Sequence, residues 1–123
     1  MNGAGPEIVY VLIPVYNEAR HIKRTLENLA LSSYRNLAIY VLDDASTDSY
    51  DYKALEKMDG RIKVVGNKTN LGKARTLNLA LSSIVPAGSP VYVIDADAIV
   101  EKGAIRKLHA ALRQRRYDVV GGR

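Results

Sequence analysis

Ile8-Val9-Tyr10-Val11-Leu12-Ile13-Pro14, followed at once by Val15-Tyr16-Asn17-Glu18, is the stretch whose reading settles the architecture. A near-continuous apolar run of this length reads as a strand buried on both faces, as inside a parallel sheet. The polar residues that follow without a spacer then stand at its carboxyl end. Outward from there, Ala19 to Leu31 carries Ile22, Leu26 and Leu29 at helical spacing. Leu37 to Leu42 is a second strand, and Asp48 is placed to cap a helix running to Met58. Ile62 to Val65 is a third strand, and Gly72 to Val85 a helix with Ala74, Leu77, Leu81 and Ile84 on one stripe. Val91 to Ile94, introduced by Pro86, Gly88 and Pro90, is a fourth strand. Lys102 to Arg116 is a helix with Ile105, Leu108 and Leu112 inward, and Val119-Val120 opens a fifth strand that halts at Gly121-Gly122-Arg123.

Strands alternating with helices predict an α/β fold, a mostly parallel sheet with helices on both faces and right-handed crossovers. Ligands of such sheets bind beyond the carboxyl ends of the strands, near the point where strand order reverses. Tyr16-Asn17-Glu18, Asp43-Asp44-Ala45-Ser46 and Asp95-Ala96-Asp97 each follow a strand directly, so all three converge on one rim. The sequence has no internal repeat and no low-complexity segment.

At 123 residues the chain is expected to form one domain, residues 1–123, around one core. Cysteine is absent, so no disulfide or thiolate metal site contributes. No apolar run approaches the ~20 residues that span a bilayer. Met1-Asn2-Gly3-Ala4-Gly5 lacks the basic and apolar regions of a signal peptide. The expectation is a soluble, cytoplasmic chain. Its formal charge of +5 sits largely in Arg106, Lys107, Arg113, Arg115, Arg116 and Arg123. Such a cluster reads first as a solvated helix face, and second as a surface for membrane headgroups or a protein segment. No aromatic residues interleave with it as single-strand binding requires, so nucleic acid is not expected as a partner.

Asp95 and Asp97, two apart on an extended segment, would point the same way. Two carboxylates that close repel unless a cation intervenes. Oxygen-only ligands favour Mg2+ or Mn2+, which keep waters and complete their shell from substrate phosphates. Two solvated acids in a turn is the plain alternative. Asp43 and Asp44, on the same rim, can accept hydrogen bonds from a base ring N–H or from ribose hydroxyls. Asp44, Ser46, Thr47 and Asp48 can equally cap a helix. Lys73 opens a helix, where free N–H groups and a partial positive charge already favour anions, and adds a point charge for phosphate. Gly66 to Lys73 is not an ATP-type phosphate loop: one residue too many separates the glycines, and Ala74 replaces the metal-binding Ser or Thr. Arg75 could pair with phosphate or with Asp44, or could simply be an exposed helix arginine. Tyr16 can stack on a nucleobase, and Pro14 bends the chain so that backbone groups face the pocket. His21 and His109 read as surface residues and receive no role.

Four stretches together resemble family 2 glycosyltransferases: Ile13-Pro14-Val15-Tyr16-Asn17-Glu18, Val41-Leu42-Asp43-Asp44-Ala45-Ser46-Thr47-Asp48, Asn70-Leu71-Gly72-Lys73-Ala74-Arg75-Thr76-Leu77-Asn78, and Asp95-Ala96-Asp97. Order and spacing agree over essentially the whole chain. The third stretch looks most like the branch that polymerises beta-linked sugars. The resemblance implies a GT-A (Rossmann-like) sheet, truncated after five strands. Pro14, Tyr16 and Glu18 would line the nucleoside pocket, Asp44 would face the uracil ring, and Lys73 would hold the nucleotide. Asp95 would approach the ribose or sugar, and Asp97 would ligate the metal bridging the diphosphate of a UDP-sugar. Such enzymes invert the anomeric centre by direct displacement from an acceptor hydroxyl.

Family members continue into an acceptor-binding half that supplies the general base and, in the polymerising branch, a Gln-x-x-Arg-Trp segment. This sequence contains neither, so donor binding with little or no transfer is expected of it alone; the missing base is worth roughly 100- to 10,000-fold. In the family's sheet a later antiparallel strand separates the strand ending at Asp95 from that beginning at Val119. Without it the two strands either pair directly or leave an open edge, which recruits partners. A homodimer, an exchanged strand or a partner chain is expected on that ground. The other reading is a noncatalytic nucleotide-binding or assembly module that retains the fold. A receiver-like domain would place its acidic pair after the first strand, and a dinucleotide-binding domain would show Gly-x-Gly-x-x-Gly there; neither pattern is present.

Overall fold

The computed structural model describes residues 7–115 and 119–121. Strands β1 (Val9–Val15), β2 (Leu37–Asp43), β3 (Ile62–Gly66), β4 (Val91–Val93) and β5 (Val119–Gly121) form one all-parallel sheet in the order β3-β2-β1-β4-β5. Helices α1 (Ile22–Ala30), α2 (Lys73–Ser83) and α3 (Ala104–Arg115) and a 3₁₀ turn at Tyr52–Lys57 connect them. β4 and β5 pair directly, from Val91↔Val119 to Val93↔Gly121, so of the two arrangements left open above the strands adjoin. Met1 to Gly5, Arg116, Gly122 and Arg123, which figured in the sequence reading, lie outside the described residues. No described helix is long and apolar enough to cross a membrane.

Strand alternation sorts side chains between two layers. Val9, Val11, Ile13 and Val15 join Ile22, Leu26 and Leu29 of α1, Ile105 of α3, and Tyr52 and Leu55 of the 3₁₀ turn in the larger core. Leu12, Leu42, Ala80 and Val91 form the smaller core beneath α2. There Tyr10 and Tyr40 stack with centroids 6.3 Å apart.

Pro14 sits inside β1, a position that normally forfeits a ladder bond. The alternation explains why it is tolerated. Val9 donates its N–H to Asn36 on the β2 side, whereas Tyr10 donates to Pro90 on the β4 side. The even-numbered positions therefore face β4, and pairing with β4 ends at Leu12↔Val93. Pro14 lies beyond that point, where no strand asks for its N–H. β1 and β4 part company there.

Three expectations need correction. The helix expected from Asp48 to Met58 is a 3₁₀ turn beginning at Tyr52. Ser49 has a positive φ of 62°, and Asp51, not Asp48, accepts the capping N–H from Ala54. On α2, Thr76 and Ala80 are buried, while Ala74 and Leu81 of the expected stripe are exposed. Thr76 accepts a hydrogen bond from Asn67 at 2.9 Å, and that contact turns the helix. His109 is buried against Tyr34, its Nε2 2.7 Å from Glu7 Oε1, rather than on the surface.

Leu26 is fully buried, while Leu79 on α2 is half exposed. Urea unfolding should show Leu26→Ala losing about 2–5 kcal/mol. Leu79→Ala should stay within about 0.5 kcal/mol. Equal losses would mean that the larger core is not where the stability resides.

Candidate functional site

With strand order 3-2-1-4-5, the topological switch lies between β1 and β4. The divergence past Leu12 and Val93 opens a cleft of about 250 Å³ there, lined by Pro14, Val15, Tyr16, Glu18, Asp44, Lys73, Asp95, Ala96 and Asp97. Seven of the nine site residues named from the sequence thus meet in one place: Pro14, Tyr16, Glu18, Asp44, Lys73, Asp95 and Asp97. Asp43 and Arg75 do not line it. Asp43 Oδ1 accepts the Ser46 N–H at 3.0 Å and so braces the loop after β2. Arg75 opens onto a separate recess with Leu71, Asn78, Leu79 and Ser82. A larger recess of about 360 Å³ lies at the amino end of β4, around Pro86 to Val91, away from the acidic cluster.

The loops after β1 and β2 are tied together. Asn17, with a positive φ of 56°, donates its N–H to Ser46 Oγ at 3.0 Å and accepts the Thr47 N–H at 2.7 Å. Tyr52 Oη accepts the Glu18 N–H and donates to Asp48 Oδ2, both at 2.8 Å. Burial first, and then the bond to Asp48, push the Tyr52 phenol up to about 12, so it stays a donor at physiological pH. Tyr16 remains nearly half exposed on the cleft wall.

Asp44 is the buried member. Its Oδ1 accepts from Leu71 N–H at 2.7 Å and Asn67 Nδ2 at 2.9 Å; Oδ2 accepts from Gly72 N–H at 2.8 Å. Burial alone would raise this carboxyl, but the bonds from Leu71, Asn67 and Gly72 outweigh it and hold it below the usual carboxylate range. A carboxylate offers about four lone-pair sites, and these three donors leave one toward the cleft that Asp44 lines. Asp44 also fixes residues 67–72 and the start of α2. Gly72 makes this possible, since its φ of 91° lets the N–H turn back to Asp44.

The acidic segment is a turn, not the extended stretch assumed above: Ala98 donates its N–H to Asp95 O at 3.0 Å. Both carboxylates still open into the cleft, because buried Ala96 holds the middle of the turn down. Lys73 Nζ is 2.7 Å from Asp95 Oδ1, with both side chains more than half exposed. Such a pair adds little stability and is easily redirected. Among the described residues no group of three or more His, Cys, Asp or Glu side chains could by itself hold a metal ion. Asp95 and Asp97 supply hard oxygen donors only, which suits a cation that completes its shell with water and phosphate oxygen. Thr25, Tyr52 and Asn67 were missed in the sequence. Thr25 left one signal, a polar residue on the inward stripe of α1.

A model of glycosyl transferase family 2 matches residues 10–123. The chain belongs to that family. Glycosyltransferase GlyG of Streptococcus pneumoniae serotype 4 (strain ATCC BAA-334 / TIGR4) is 29% identical over 118 residues, covering 94% of this chain and 38% of GlyG. Crystalline S. aureus TarS 1-349 in complex with UDP superimposes with a TM-score of 0.74 at 26% identity, covering 89% of this chain and 33% of that one. The mannosyltransferase PcManGT from Pyrobaculum calidifontis, in complex with GDP-Man and Mn2+, gives 0.64 at 32% identity, over 74% of this chain and 28% of that one. This family 2 chain spans between 28% and 38% of these relatives' own lengths, and its fold is that of the GT-A glycosyltransferases.

Because the Asp44 carboxyl is held low, the stability it lends is present above its unfolded value of about 4 and is lost as pH falls through the folded value. Asp44→Asn should cost about 2 kcal/mol at pH 7. It should also flatten the acid limb of the stability–pH curve. An unchanged acid limb in the variant would show that Asp44 is not the linked group.

Proposed function

We propose that this family 2 domain, residues 1–123, binds a nucleoside-diphosphate sugar through a divalent cation and presents it for inverting transfer to an acceptor hydroxyl. One observation carries the reading: aromatic, cationic and acidic side chains from three strand ends and one helix start line the same cleft at the switch point. About 250 Å³ lies just below the ~300–1,000 Å³ of small-ligand sites, so the cleft suits part of a donor, with the remainder extending outward.

Tyr16 offers a ring face to the base, with Pro14 and Glu18 beside it. Lys73, at the start of α2, would face phosphate. Asp95 and Asp97 would hold Mg2+ or Mn2+, with Asp97 on the diphosphate and Asp95 toward the ribose or sugar. When bound, the cation offsets charge that develops on the departing diphosphate. Asp44, besides anchoring the loop before α2, lines the cleft and would face the uracil ring. The UDP complex of TarS supports a uridine donor, while the GDP-Man complex of PcManGT shows that a relative of similar fold takes another base. The Mn2+ in the latter supports the choice of cation.

A second reading, nucleotide binding without transfer, rests on the roles just given: every described acidic residue of the cleft serves donor, cation or loop, leaving none for the acceptor proton. We also propose that β5, the terminal strand of the sheet, recruits a second copy or a partner chain along its outer edge. Light scattering that reports a monomer across a wide concentration range would remove that proposal.

Titration calorimetry with UDP and Mn2+ tests the main reading. The wild-type protein should bind UDP more tightly with Mn2+ than without, and Asp97→Ala should lose most of that gain. No heat from either protein under any condition would leave the fold without a donor site.

A further inference from the structure

Asp95 and Asp97 are exposed and line the cleft, where Asp95 pairs with Lys73 at 2.7 Å. The backbone that carries both is held from the opposite side of the turn. Thr25 of α1 is 2% exposed, and its Oγ1 stands 2.5 Å from Ala96 O, 3.2 Å from His21 O and 3.4 Å from Ala98 O. A hydroxyl has one proton to donate, and the shortest contact identifies its recipient as Ala96. One helical turn along, Asn28 Oδ1 accepts the Val100 N–H at 2.6 Å. The side chains of Ala96 and Val100 are themselves buried. The backbone between β4 and α3 is thus fastened to α1 at two points that straddle Asp97.

We infer that Thr25 is a positioning residue for the acidic turn: its bond to Ala96 O fixes the peptide plane joining Ala96 to Asp97, and through it the direction in which Asp97 leaves toward the cation. The inference rests on the donor-site reading above and deepens it. The Ala96 carbonyl is buried and has no water to turn to, so losing its donor favours a rotated peptide. Rotation about that plane swings the Asp97 carboxylate, while Tyr16, Lys73 and the Asp44-anchored loop stay in place. The effect should therefore fall on the cation-dependent part of nucleotide binding and spare the rest.

The test is calorimetric titration of UDP, with and without Mn2+, on the wild-type protein, Thr25→Val and Thr25→Ser, with a thermal melt of each. Valine keeps the shape and removes the donor; serine keeps the donor. Thr25→Val should lower the Mn2+-dependent gain in UDP affinity by about tenfold, the equivalent of one hydrogen bond. Affinity without Mn2+ should be unchanged, and Thr25→Ser should restore the gain. Thr25→Ala removes the same hydroxyl with a smaller side chain and serves if the valine variant does not fold. A full Mn2+ gain in the hydroxyl-less variant overturns the inference. So does an equal loss with and without Mn2+, which marks a purely structural threonine. Failure of the wild-type protein to bind UDP at all overturns the donor-site reading, and this inference with it.

Discussion

The carboxylate of Asp44 reaches across from the end of β2 to the backbone of Leu71 and Gly72 and the side chain of Asn67, at 2.7 to 2.9 Å. The end of β2 is thereby joined to the loop between β3 and α2, more than twenty residues further along the chain. The bonds are charge-assisted and shielded from water, which strengthens them and makes their absence costly. Lys73 follows Gly72 directly, so its place over the cleft is inherited from this one buried anion. Asn67, itself held by Asp44, donates to Thr76 at 2.9 Å on the buried face of α2.

The second constraint belongs to the sheet. β1 continues past the last residue it shares with β4, and Pro14 marks the place where no N–H is needed. A gap between neighbouring strands is the usual consequence of a switch in strand order, and polar residues at the strand tips populate it. Family membership says which chemistry such a gap hosts in relatives. The gap itself follows from hydrogen-bond direction and strand length, independently of any relative.

The cleft joins a buried carboxylate that accepts three hydrogen bonds to exposed ones that have fewer. Asp44 anchors the loop before α2, whereas Asp95 and Asp97 stand exposed at the cleft. Thr25 and Asn28 extend the division of labour, since they hold the backbone of the acidic turn without entering the cleft. Buried side chains set direction, and exposed ones line the cleft.

By itself the sequence determined the strand order along the chain, the parallel sheet and the rim on which Tyr16, Asp44, Asp95 and Asp97 meet. Apolar periodicity and the placing of polar clusters directly after strands are local properties, and they carry that far. Only the tertiary structure decided that Asp44 serves the α2 loop, that Asp43 and Arg75 stand outside the cleft, that His109 is buried and that Asp95 to Asp97 is a turn. Each of these depends on a partner distant in sequence: Leu71 and Gly72 for Asp44, Glu7 and Tyr34 for His109, Thr25 for the turn. A carboxylate or hydroxyl reads the same in sequence whether it faces solvent, ligand or a backbone amide. The difference lies in which donors and acceptors the fold brings within about 3 Å.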